Sequence, residues 1–212
     1  KISFIGAGKM ATAIASAMKK SFSPEQISAF DISPEAAEHF RKLTGIKIFS
    51  SLSEALSFAD ALIIAVKPQN FNQLFEQIKN SASQKLIISI MAGIKIYSIQ
   101  QKSGSERIIR VMPNTPALVN KGICAYSVSK NANDADIEIV KKILDCVGSS
   151  VLINEDLMDI VTAISGSGPA YVFEFIEAMA RAGEKHGLAY DVALRLSTET
   201  VEGAAVLLKK SA

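Results

Sequence analysis

A glycine-rich segment near the start of the chain has the residue types needed to hold a pyrophosphate. It runs Gly6-Ala7-Gly8-Lys9-Met10-Ala11 and follows a short apolar stretch. Gly6 permits a tight turn, Gly8 lets backbone N–H groups approach the ligand, and Ala11 lets a helix pack close to a strand. The N-terminus of that helix would face the anion with free N–H groups. Its place between a predicted strand and a predicted helix favours dinucleotide binding over a plain glycine-rich turn.

An acidic residue ends the second predicted strand. Asp31 follows Gly8 at about the spacing, roughly 20 residues, at which a carboxylate accepts a hydrogen bond from the ribose 2′-OH of NAD(H). The same charge would repel a 2′-phosphate, although Ser33 could donate a hydrogen bond to one. The residues favour NADH and leave NADPH open. Asp31 could instead be a turn residue.

Three further positions follow predicted strands, at the edge where ligands bind in open α/β sheets. Ala65-Val66-Lys67-Pro68 ends one strand, and Lys67 could be a cofactor contact or a solvated surface lysine. Ala92 and Gly93 offer small residues beside which a nicotinamide ring could lie, or they form the turn into a helix. Asn114, in a proline-flanked loop, could hold the cofactor or stiffen the loop.

The segment Ser165-Gly166-Ser167-Gly168-Pro169 separates two predicted helices. Its glycines allow unusual backbone angles, and its proline suits the first turn of the next helix. Free N–H groups there could bind a substrate carboxylate, which makes Ser165, Ser167 and Gly168 candidate substrate contacts. The alternative is an interhelical turn with capping serines. Thr162 lies just before it, and its hydroxyl could simply bond its own helix backbone.

The elements that must position these residues alternate between strands and helices. Apolar runs predict strands over 1–5, 27–30, 46–49, 61–66, 86–90, 107–112 and 151–153. Helical periodicity begins at Met10, after Ser33 as an N-cap, at Phe71 and at Ile137. Strands buried on both faces predict an α/β domain over residues 1–153, with a Rossmann-type, doubly wound, mainly parallel sheet.

The sequence pattern changes after about residue 150. The segments 170–186 and 191–208 are predicted helices, rich in alanine and apolar on more than one face. A helix that is apolar on several sides needs several packing partners, which a short helical domain cannot supply alone. We therefore predict an all-helical dimerisation domain over residues 154–212. The chain also starts without Met and stops inside a helical pattern, so we expect trimming, particularly at the C-terminus.

Composition is typical of a globular protein. Hydrophobic residues make up 49% and charged residues 21% of 212 residues. A net charge of +2, with basic residues interspersed among acidic ones, argues against a nucleic-acid binder. No apolar run reaches the roughly 18 residues that span a bilayer, and no signal peptide is visible, so we expect a cytoplasmic protein. Cys124 and Cys146 form no CxxC and are expected to be buried rather than metal ligands or a disulfide, and no metal site is predicted.

Four sequence segments together carry a family resemblance. They are Phe4-Ile5-Gly6-Ala7-Gly8-Lys9-Met10-Ala11, Ala65-Val66-Lys67-Pro68-Gln69, Arg110-Val111-Met112-Pro113-Asn114-Thr115-Pro116 and Ile164-Ser165-Gly166-Ser167-Gly168-Pro169-Ala170-Tyr171. The first is shared by many dehydrogenases, whereas the third and fourth are much more specific. In this order along nearly the whole chain, they resemble the pyrroline-5-carboxylate reductase family.

The resemblance implies reduction of the cyclic imine 1-pyrroline-5-carboxylate to L-proline by NADH or NADPH, the final step of proline synthesis, with hydride transfer to the imine carbon. It implies a helical domain that forms homodimers, often within a larger ring of dimers. It also implies cofactor contacts at Lys67, largely through backbone groups, and a place beside the imine nitrogen for Thr162. The family's downstream SPGGTT-like segment, which helps hold the substrate carboxylate, has no counterpart in residues 172–212; it is either absent or trimmed.

No His, Cys or carboxylate near these motifs is an obvious general acid. His39 and His186 are expected to be structural or solvated, so the iminium would arrive protonated and need mainly orientation, with Thr162 contributing a hydrogen bond. One rival is a β-hydroxyacid dehydrogenase, whose catalytic lysine belongs in the first long helix of the second domain, where Arg181 and Lys185 come too late. Another is a catalytically inactive dinucleotide sensor.

Overall fold

The computed structural model describes residues 1–211, apart from the side chain of residue 80. Contacts divide the chain into two compact units, Lys1–Gly166 and Ser167–Ala212. The last residue of the second unit, Ala212, lies outside the described residues. The predicted domains, 1–153 and 154–212, assign the segment 154–166 differently, and that boundary stays a prediction.

The first unit is built on an eight-stranded sheet. Its strands are β1 (Ile2–Ile5), β2 (Ile27–Phe30), β3 (Lys47–Ile48), β4 (Ala61–Ile64), β5 (Leu86–Ser89), β6 (Ile108–Met112), β7 (Gly122–Val128) and β8 (Gly148–Leu152). They lie in the order β3-β2-β1-β4-β5-β6-β7-β8. Among the described strands, β6 and β7 pair antiparallel and the other neighbours pair parallel. The predicted doubly wound, mainly parallel sheet is confirmed.

Helices connect these strands. They are α1 (Lys9–Met18), α2 (Pro34–Thr44), α3 (Leu52–Phe58), α4 (Phe71–Ala82), α5 (Ile96–Ser103), α6 (Asp134–Leu144) and the short α7 (Met158–Val161). Single 3-10 turns occupy Pro24–Gln26, Pro68–Asn70, Thr115–Val119 and Glu155–Leu157, and a π-helical turn occupies Thr162–Gly166. Helices on both sides of a parallel sheet require both faces of each strand to be apolar, which the sequence provides.

Local sequence signals explain where several helices begin. The Ser33 hydroxyl accepts a hydrogen bond from the Ala36 amide, 3.2 Å away, and Pro34 occupies the first helical position, as predicted. Ser51 and Asn133 cap α3 and α6 in the same way, each within a capping box. The predicted apolar stripe of α4 is also confirmed, because Phe71, Leu74, Phe75 and Ile78 are all buried.

Two apolar clusters cover the two faces of the sheet. Alternate residues of β4 divide between them: Ala61 and Ile63 join one cluster, whereas Leu62 and Ile64 join the other. One cluster contains the packed side chains of α1, α2 and α6, and the other those of α3, α4 and α5. The sheet is thereby held rigidly, so that the ends of its strands can support a site.

Three strand predictions need correction. β7 was not predicted, because its small and polar residues break the apolar pattern. The predicted strand 46–49 is only Lys47–Ile48. The predicted strand 151–153 begins earlier, at Gly148, where φ is +150° and an added Cβ would lie 1.9 Å from the Gly122 carbonyl oxygen. A strand that begins Gly-Ser-Ser has little intrinsic preference to form and depends on its partner strand.

The two cysteines differ in their surroundings. Cys124 is fully buried in β7, and burial raises the pKa of its thiol to about 11. Cys146 is half-buried, so the expectation of a buried residue holds for Cys124 and only partly for Cys146. Both are free thiols. His39 and His186 are exposed, as expected for solvated side chains.

The second unit consists of α8 (Gly168–Lys185) and α9 (Tyr190–Ser211), close to the two predicted helices. Small residues allow the helices to approach: an added Cβ at Gly183 would lie 3.1 Å from the Ala193 Cβ. The Tyr190 hydroxyl donates to Glu177 at 2.6 Å, which fixes the start of α9 on α8. Large apolar side chains remain exposed on both helices, namely Tyr171, Phe173, Phe175, Leu196, Leu207 and Leu208.

Among the described helices, none combines the length and apolar character needed to cross a bilayer.

Candidate cofactor and substrate site

A cavity of about 310 Å³ opens where β1, β2 and β4 end. This is the edge at which open α/β sheets bind ligands. Six of the predicted cofactor residues line it: Gly6, Gly8, Asp31, Ala65, Val66 and Lys67. The structure therefore brings together predicted residues that lie up to 61 positions apart in the sequence, from Gly6 to Lys67.

Gly6 and Gly8 have different structural tasks. Gly6 has φ +102°, and an added Cβ would lie 2.7 Å from the Ala65 carbonyl oxygen, so only glycine fits this close crossing of β1 and β4. Gly8 has extended backbone and is the N-cap of α1. An added Cβ at Gly8 would meet no described atom within 4 Å, so the space before the helix N-terminus is open. This cradle fits a pyrophosphate.

The other residues of the turn support that cradle. Ala7 and Ala11 are buried and let α1 pack against the sheet, Met10 packs partly into the core, and Lys9 is exposed. The Thr12 hydroxyl donates to the Gly8 carbonyl oxygen at 3.1 Å, which fixes the first turn of α1. The turn is therefore held by packing and hydrogen bonds within the chain.

Asp31 braces the glycine-rich turn. One carboxylate oxygen accepts from the Ala7 amide at 2.7 Å and the other accepts from the Ser33 amide at 2.8 Å. Each oxygen keeps lone-pair capacity for a ribose hydroxyl. The residue thus serves as a turn residue, the alternative noted from the sequence, while it lines the cavity. Ser33 uses its hydroxyl oxygen to cap α2 and keeps its O–H free to donate.

The segment after β4 forms another wall. The Ala65 amide donates to the Ile5 carbonyl oxygen at 2.8 Å, which continues the sheet into the site. Lys67 is exposed at the rim, and its carbonyl oxygen accepts from the Asn70 amide at 2.9 Å. Pro68 is half-buried and begins the 3-10 turn that leads into α4.

The structure adds lining residues that sequence reasoning missed. They are Ile32, Leu52, Asn70, Gln73, Leu74 and Gln77. Ile32 is 79% exposed directly after Asp31, and an exposed apolar residue at a strand end was the available signal. The two glutamines lie one turn apart on α4, which places them on one face of that helix.

Ala92, Gly93 and Asn114 do not line this cavity. Ala92 and Gly93 are exposed in the turn between β5 and α5, where Gly93 has φ +74°. Asn114 is 8% exposed, and its side-chain oxygen accepts from the Ile123 amide at 3.0 Å. This bond ties the loop after β6 to β7 and supports the rigid-loop alternative. A cofactor contact for these three residues stays a prediction.

Thr162 begins the π-helical turn, a type of turn that often occurs at functional sites. Its hydroxyl donates to the Met158 carbonyl oxygen at 2.9 Å, and the Ser165 hydroxyl donates to the Val161 carbonyl oxygen at 3.1 Å. Both hydroxyl protons are therefore used by the helix backbone, as the alternative from the sequence anticipated. Both oxygens keep lone pairs that can accept a further hydrogen bond.

Ser167 and Gly168 belong to the second unit, at the N-terminus of α8. The Ser167 side chain makes no capping hydrogen bond within the described chain, while its carbonyl oxygen accepts from the Ala170 amide at 3.0 Å. An added Cβ at Gly168 would meet no described atom within 4 Å. The first N–H groups of this 18-residue helix are available for an anion.

Two family models match the chain. One is described as pyrroline-5-carboxylate reductase dimerisation and matches residues 155–212. The other is described as NADP oxidoreductase coenzyme F420-dependent and matches residues 1–93. Together they cover the glycine-rich turn and the whole second unit.

The chain is 38% identical to a pyrroline-5-carboxylate reductase of Arabidopsis thaliana, over 100% of this chain and 78% of the relative. The chain belongs to the pyrroline-5-carboxylate reductase family. It is also 36% identical to a pyrroline-5-carboxylate reductase of Synechocystis sp., over 100% of this chain and 80% of that relative.

Solved structures of pyrroline-5-carboxylate reductases agree with this membership. The Plasmodium falciparum enzyme with NADP bound has a TM-score of 0.90 and 37% identity, with coverage of 99% of this chain and 79% of that one. The Coxiella burnetii enzyme has a TM-score of 0.92 and 30% identity, with the same coverage. A 3-hydroxyisobutyrate dehydrogenase of Mycobacterium tuberculosis has a TM-score of 0.64 at 15% identity, which shows a shared fold alone.

One buried ion pair in this member of the pyrroline-5-carboxylate reductase family escaped sequence reasoning. Arg110 is 4% exposed in β6 and donates to a Glu155 carboxylate oxygen at 3.2 Å. The available signal was an arginine inside an apolar strand, because a buried charge requires a partner. The partner could not be chosen from the sequence, since the two residues are 45 positions apart.

Proposed function

We propose that this chain catalyses the reduction of 1-pyrroline-5-carboxylate to L-proline by NADH or NADPH, the final step of proline synthesis. The observation that carries the proposal is the open cradle at Gly6 and Gly8, in a chain that is 38% identical over its whole length to a pyrroline-5-carboxylate reductase. A glycine cradle at a helix N-terminus is suited to the pyrophosphate of such a cofactor.

Cofactor binding is assigned to the ends of β1, β2 and β4. The N-terminus of α1, with Gly8 as N-cap, would hold the pyrophosphate, and Asp31 would accept a hydrogen bond from a ribose hydroxyl. Lys67 would contact the cofactor from the rim. The reduced nicotinamide, when bound, supplies the hydride that converts the imine carbon into an amine carbon.

Thr162 is assigned to the imine nitrogen. Its hydroxyl proton is donated to the Met158 carbonyl oxygen, so the threonine oxygen presents lone pairs rather than a proton. It would accept a hydrogen bond from the N–H of the protonated imine, which keeps the proton on nitrogen and orients the ring. As the imine carbon accepts the hydride, the π-electron pair of the C=N bond would move onto nitrogen as a lone pair, and the product would be a secondary amine.

The substrate carboxylate is assigned to the N-terminus of α8. Ser167 and Gly168 stand at the positive end of that helix, which favours an anion. The Ser165 hydroxyl already donates its proton to the Val161 carbonyl oxygen, so a carboxylate contact for Ser165 stays a prediction. The carboxylate distinguishes 1-pyrroline-5-carboxylate from a neutral cyclic imine, so this contact would select the substrate.

The second unit matches a dimerisation model, which indicates a homo-oligomer. We assign a homodimer as the basic assembly, which could associate further into a ring of dimers. Exposed Tyr171, Phe173 and Phe175 on α8 support this assignment, because a run of large apolar side chains marks a contact surface. Sedimentation analysis of the complete chain tests it, and a clean monomer would contradict it.

We also propose a cytoplasmic location. The two cysteines are free thiols, and Cys124 is fully buried. Unpaired thiols of this kind are typical of a reducing compartment.

Isotope transfer tests the proposed reaction. The chain is incubated with 1-pyrroline-5-carboxylate and with nicotinamide cofactor carrying deuterium at C4, on either face in separate reactions. We expect one label to appear at C5 of L-proline, detected by mass spectrometry, because the hydride adds to the imine carbon. Cofactor binding without labelled proline would contradict the proposal and favour a dinucleotide sensor.

A further inference from the structure

The buried Arg110–Glu155 pair connects two segments that the reaction requires. One Glu155 carboxylate oxygen accepts from Arg110 at 3.2 Å and from the Ile96 amide at 2.7 Å. The side chain of Arg110 is 5% exposed and that of Glu155 is 25% exposed. We propose that Glu155, held by Arg110, is a positioning residue that fixes the loop after β5 relative to the segment leading to Thr162.

The first segment is the turn between β5 and α5. Ile96 is the first residue of α5 and follows the exposed turn at Ala92 and Gly93, where the nicotinamide ring is predicted to lie. The described side chain of Lys95, the N-cap of α5, makes no capping hydrogen bond. Glu155 therefore serves as the cap from 59 positions away, and its negative charge faces the positive end of α5.

The second segment runs from Glu155 to Thr162 without a break. Glu155 begins a 3-10 turn, α7 follows directly, and the π-helical turn begins at Thr162. A shift of Glu155 is therefore passed on to Thr162 through the continuous helical backbone. The far end of the π-helical turn lies beside the side chain of Met112 in β6, because an added Cβ at Gly166 would lie 2.5 Å from the Met112 Cε.

Arg110 holds the Glu155 carboxylate at a fixed place beside the sheet. It projects from β6, a strand buried between two neighbours, so its Cα cannot move freely. Arg110 Nη2 also lies 3.8 Å from Asp159, whose side chain is 86% exposed, and this outer contact adds little in water. The close, buried contact with Glu155 is the one that holds the two segments.

A second ion pair offers a matched comparison. Arg107, directly before β6, donates from Nε to Asp136 at 2.9 Å, and the Asp136 side chain is 1% exposed. Asp136 lies in α6, and within the described chain its hydrogen bonds are made with Arg107 and Asn133 rather than with the turn after β5 or the segment 155–162. Removing Asp136 breaks a comparable pair without touching the proposed link.

Removal of the Glu155 carboxylate is expected to lower turnover and to leave cofactor affinity nearly unchanged. This expectation rests on the proposed function. Gly8 and Asp31, to which the pyrophosphate and ribose are assigned, line a cavity whose lining does not include Glu155, so we expect these contacts to be unaffected. Loss of the Glu155 carboxylate would let the turn at Ala92 and Gly93 shift relative to Thr162. A misplacement of about 1 Å lowers a rate by about 100-fold. We expect Glu155→Ala to lower kcat by about 10- to 100-fold, with less than about a 3-fold change in the cofactor dissociation constant.

The experiment compares Glu155→Ala, Glu155→Gln and Asp136→Ala in the full chain. Hydrogen exchange of the Ile96 amide is measured without cofactor, NADPH affinity by fluorescence titration, and kcat with 1-pyrroline-5-carboxylate. We expect faster Ile96 exchange and lower kcat in Glu155→Ala. Glu155→Gln keeps an acceptor oxygen, so it should retain most of the Ile96 protection and most of kcat. Asp136→Ala should lower the melting temperature and leave kcat and Ile96 exchange unchanged.

Several results would overturn the proposal. Unchanged Ile96 exchange in Glu155→Ala would show that the carboxylate does not hold the turn. Faster exchange with unchanged kcat would show that the link has no role in the reaction. Equal losses of kcat in Glu155→Ala and Asp136→Ala would indicate general destabilisation instead.

Failure of the proposed function is distinguishable from these results, because the unaltered chain would then bind NADPH without forming proline. Ile96 exchange and the fluorescence anisotropy of bound NADPH still test the link in that case. If Glu155→Ala altered neither quantity, the link would be refuted.

Discussion

At the residue scale, Asp31 combines a structural and a binding task. Its carboxylate holds the Ala7 and Ser33 amides at 2.7 and 2.8 Å, and it lines the cofactor cavity. Its removal should loosen the glycine-rich turn, which both cofactors use. We expect Asp31→Ala to weaken binding of both NADH and NADPH by about 10-fold, as for loss of a hydrogen bond to a charged group. Fluorescence titration with each cofactor measures this.

A role of Asp31 in ribose binding alone predicts a different result. If the carboxylate acted only on the ribose, its loss would weaken NADH binding and strengthen NADPH binding, because repulsion of the 2′-phosphate would disappear. A change of opposite sign for the two cofactors would therefore contradict the bracing role.

Thr162 provides a second test at this scale. Thr162→Val removes the oxygen that would accept a hydrogen bond from the imine N–H, and it also removes the bond to Met158. We expect turnover to fall by about 10- to 100-fold. Thr162→Ser keeps the hydroxyl and should retain most of the activity. Unchanged turnover in Thr162→Val would remove the residue from the mechanism.

Residue-scale features were predictable where they depend on local sequence. Gly6, Gly8 and the Ser33 cap follow from the order of residues within one turn, so the motif located them. The contacts of Asn114 and Thr162 were anticipated only as alternatives, because a polar side chain can bond either its own backbone or a ligand. The Arg110–Glu155 pair depends on the packing of distant segments, which no local pattern contains.

At the scale of elements, the turn from β1 to α1 contains one glycine that the fold requires, Gly6, and one that is proposed for cofactor binding, Gly8. Gly6→Ala would place a Cβ 2.7 Å from the Ala65 carbonyl oxygen at φ +102°, so it should destabilise the fold by about 1–3 kcal/mol. Gly8→Ala meets no described atom within 4 Å, so its Cβ would occupy only the space proposed for the pyrophosphate.

Thermal melting and cofactor titration of the two variants test this separation. We expect Gly6→Ala to lower the melting temperature and Gly8→Ala to leave it nearly unchanged while weakening cofactor binding. Unchanged affinity in Gly8→Ala would mean that the pyrophosphate does not lie against α1. An unchanged melting temperature in Gly6→Ala would contradict the close crossing of β1 and β4.

Element predictions succeeded where periodicity was strong and failed where tertiary pairing decided. The stripe of α4 and the apolar runs of β1, β2 and β4 each identify an element without knowledge of the rest of the chain. β7 contains small and polar residues between its apolar ones, and the first residues of β8 are Gly148, Ser149 and Ser150. β7 pairs antiparallel with β6 and parallel with β8, so both β7 and β8 depend on pairing within the sheet rather than on a local pattern.

At the scale of the whole molecule, large exposed apolar side chains on more than one side of α8 predict association. Phe173 and Phe175 are 63% and 59% exposed. Replacing both with serine should shift the chain towards monomer in sedimentation velocity experiments, because the association loses apolar contact area. Leu43→Ser, at a residue 58% exposed on α2, is the matched control and should leave the assembly unchanged. An unaltered oligomer in the double variant would show that neither side chain contributes to the interface.

Asp136 is expected to contribute to the stability of the molecule in acid. Hydrogen bonds from the Arg107 guanidinium hold the pKa of Asp136 below its usual value, so this carboxylate contributes stability above its unfolded pKa of about 3.9. That contribution is lost as the pH falls below about 4, towards the lowered folded pKa. Asp136→Ala should therefore reduce the free energy of unfolding by about 1.5–3 kcal/mol at pH 7, with a smaller difference below pH 4.

Urea unfolding at pH 7 and at pH 3 measures this dependence. If the difference between the two proteins stayed constant across this range, the Asp136 pKa would not be lowered by folding.

The central claim is that this chain reduces 1-pyrroline-5-carboxylate with a nicotinamide cofactor. The most direct measurement follows the oxidation of NADH and of NADPH separately, by absorbance, as 1-pyrroline-5-carboxylate is added to the full-length protein. We predict substrate-dependent oxidation of at least one cofactor, and the ratio of the two rates gives the preference at Asp31. Binding of both cofactors with oxidation of neither would contradict the claim and indicate another substrate or a sensor.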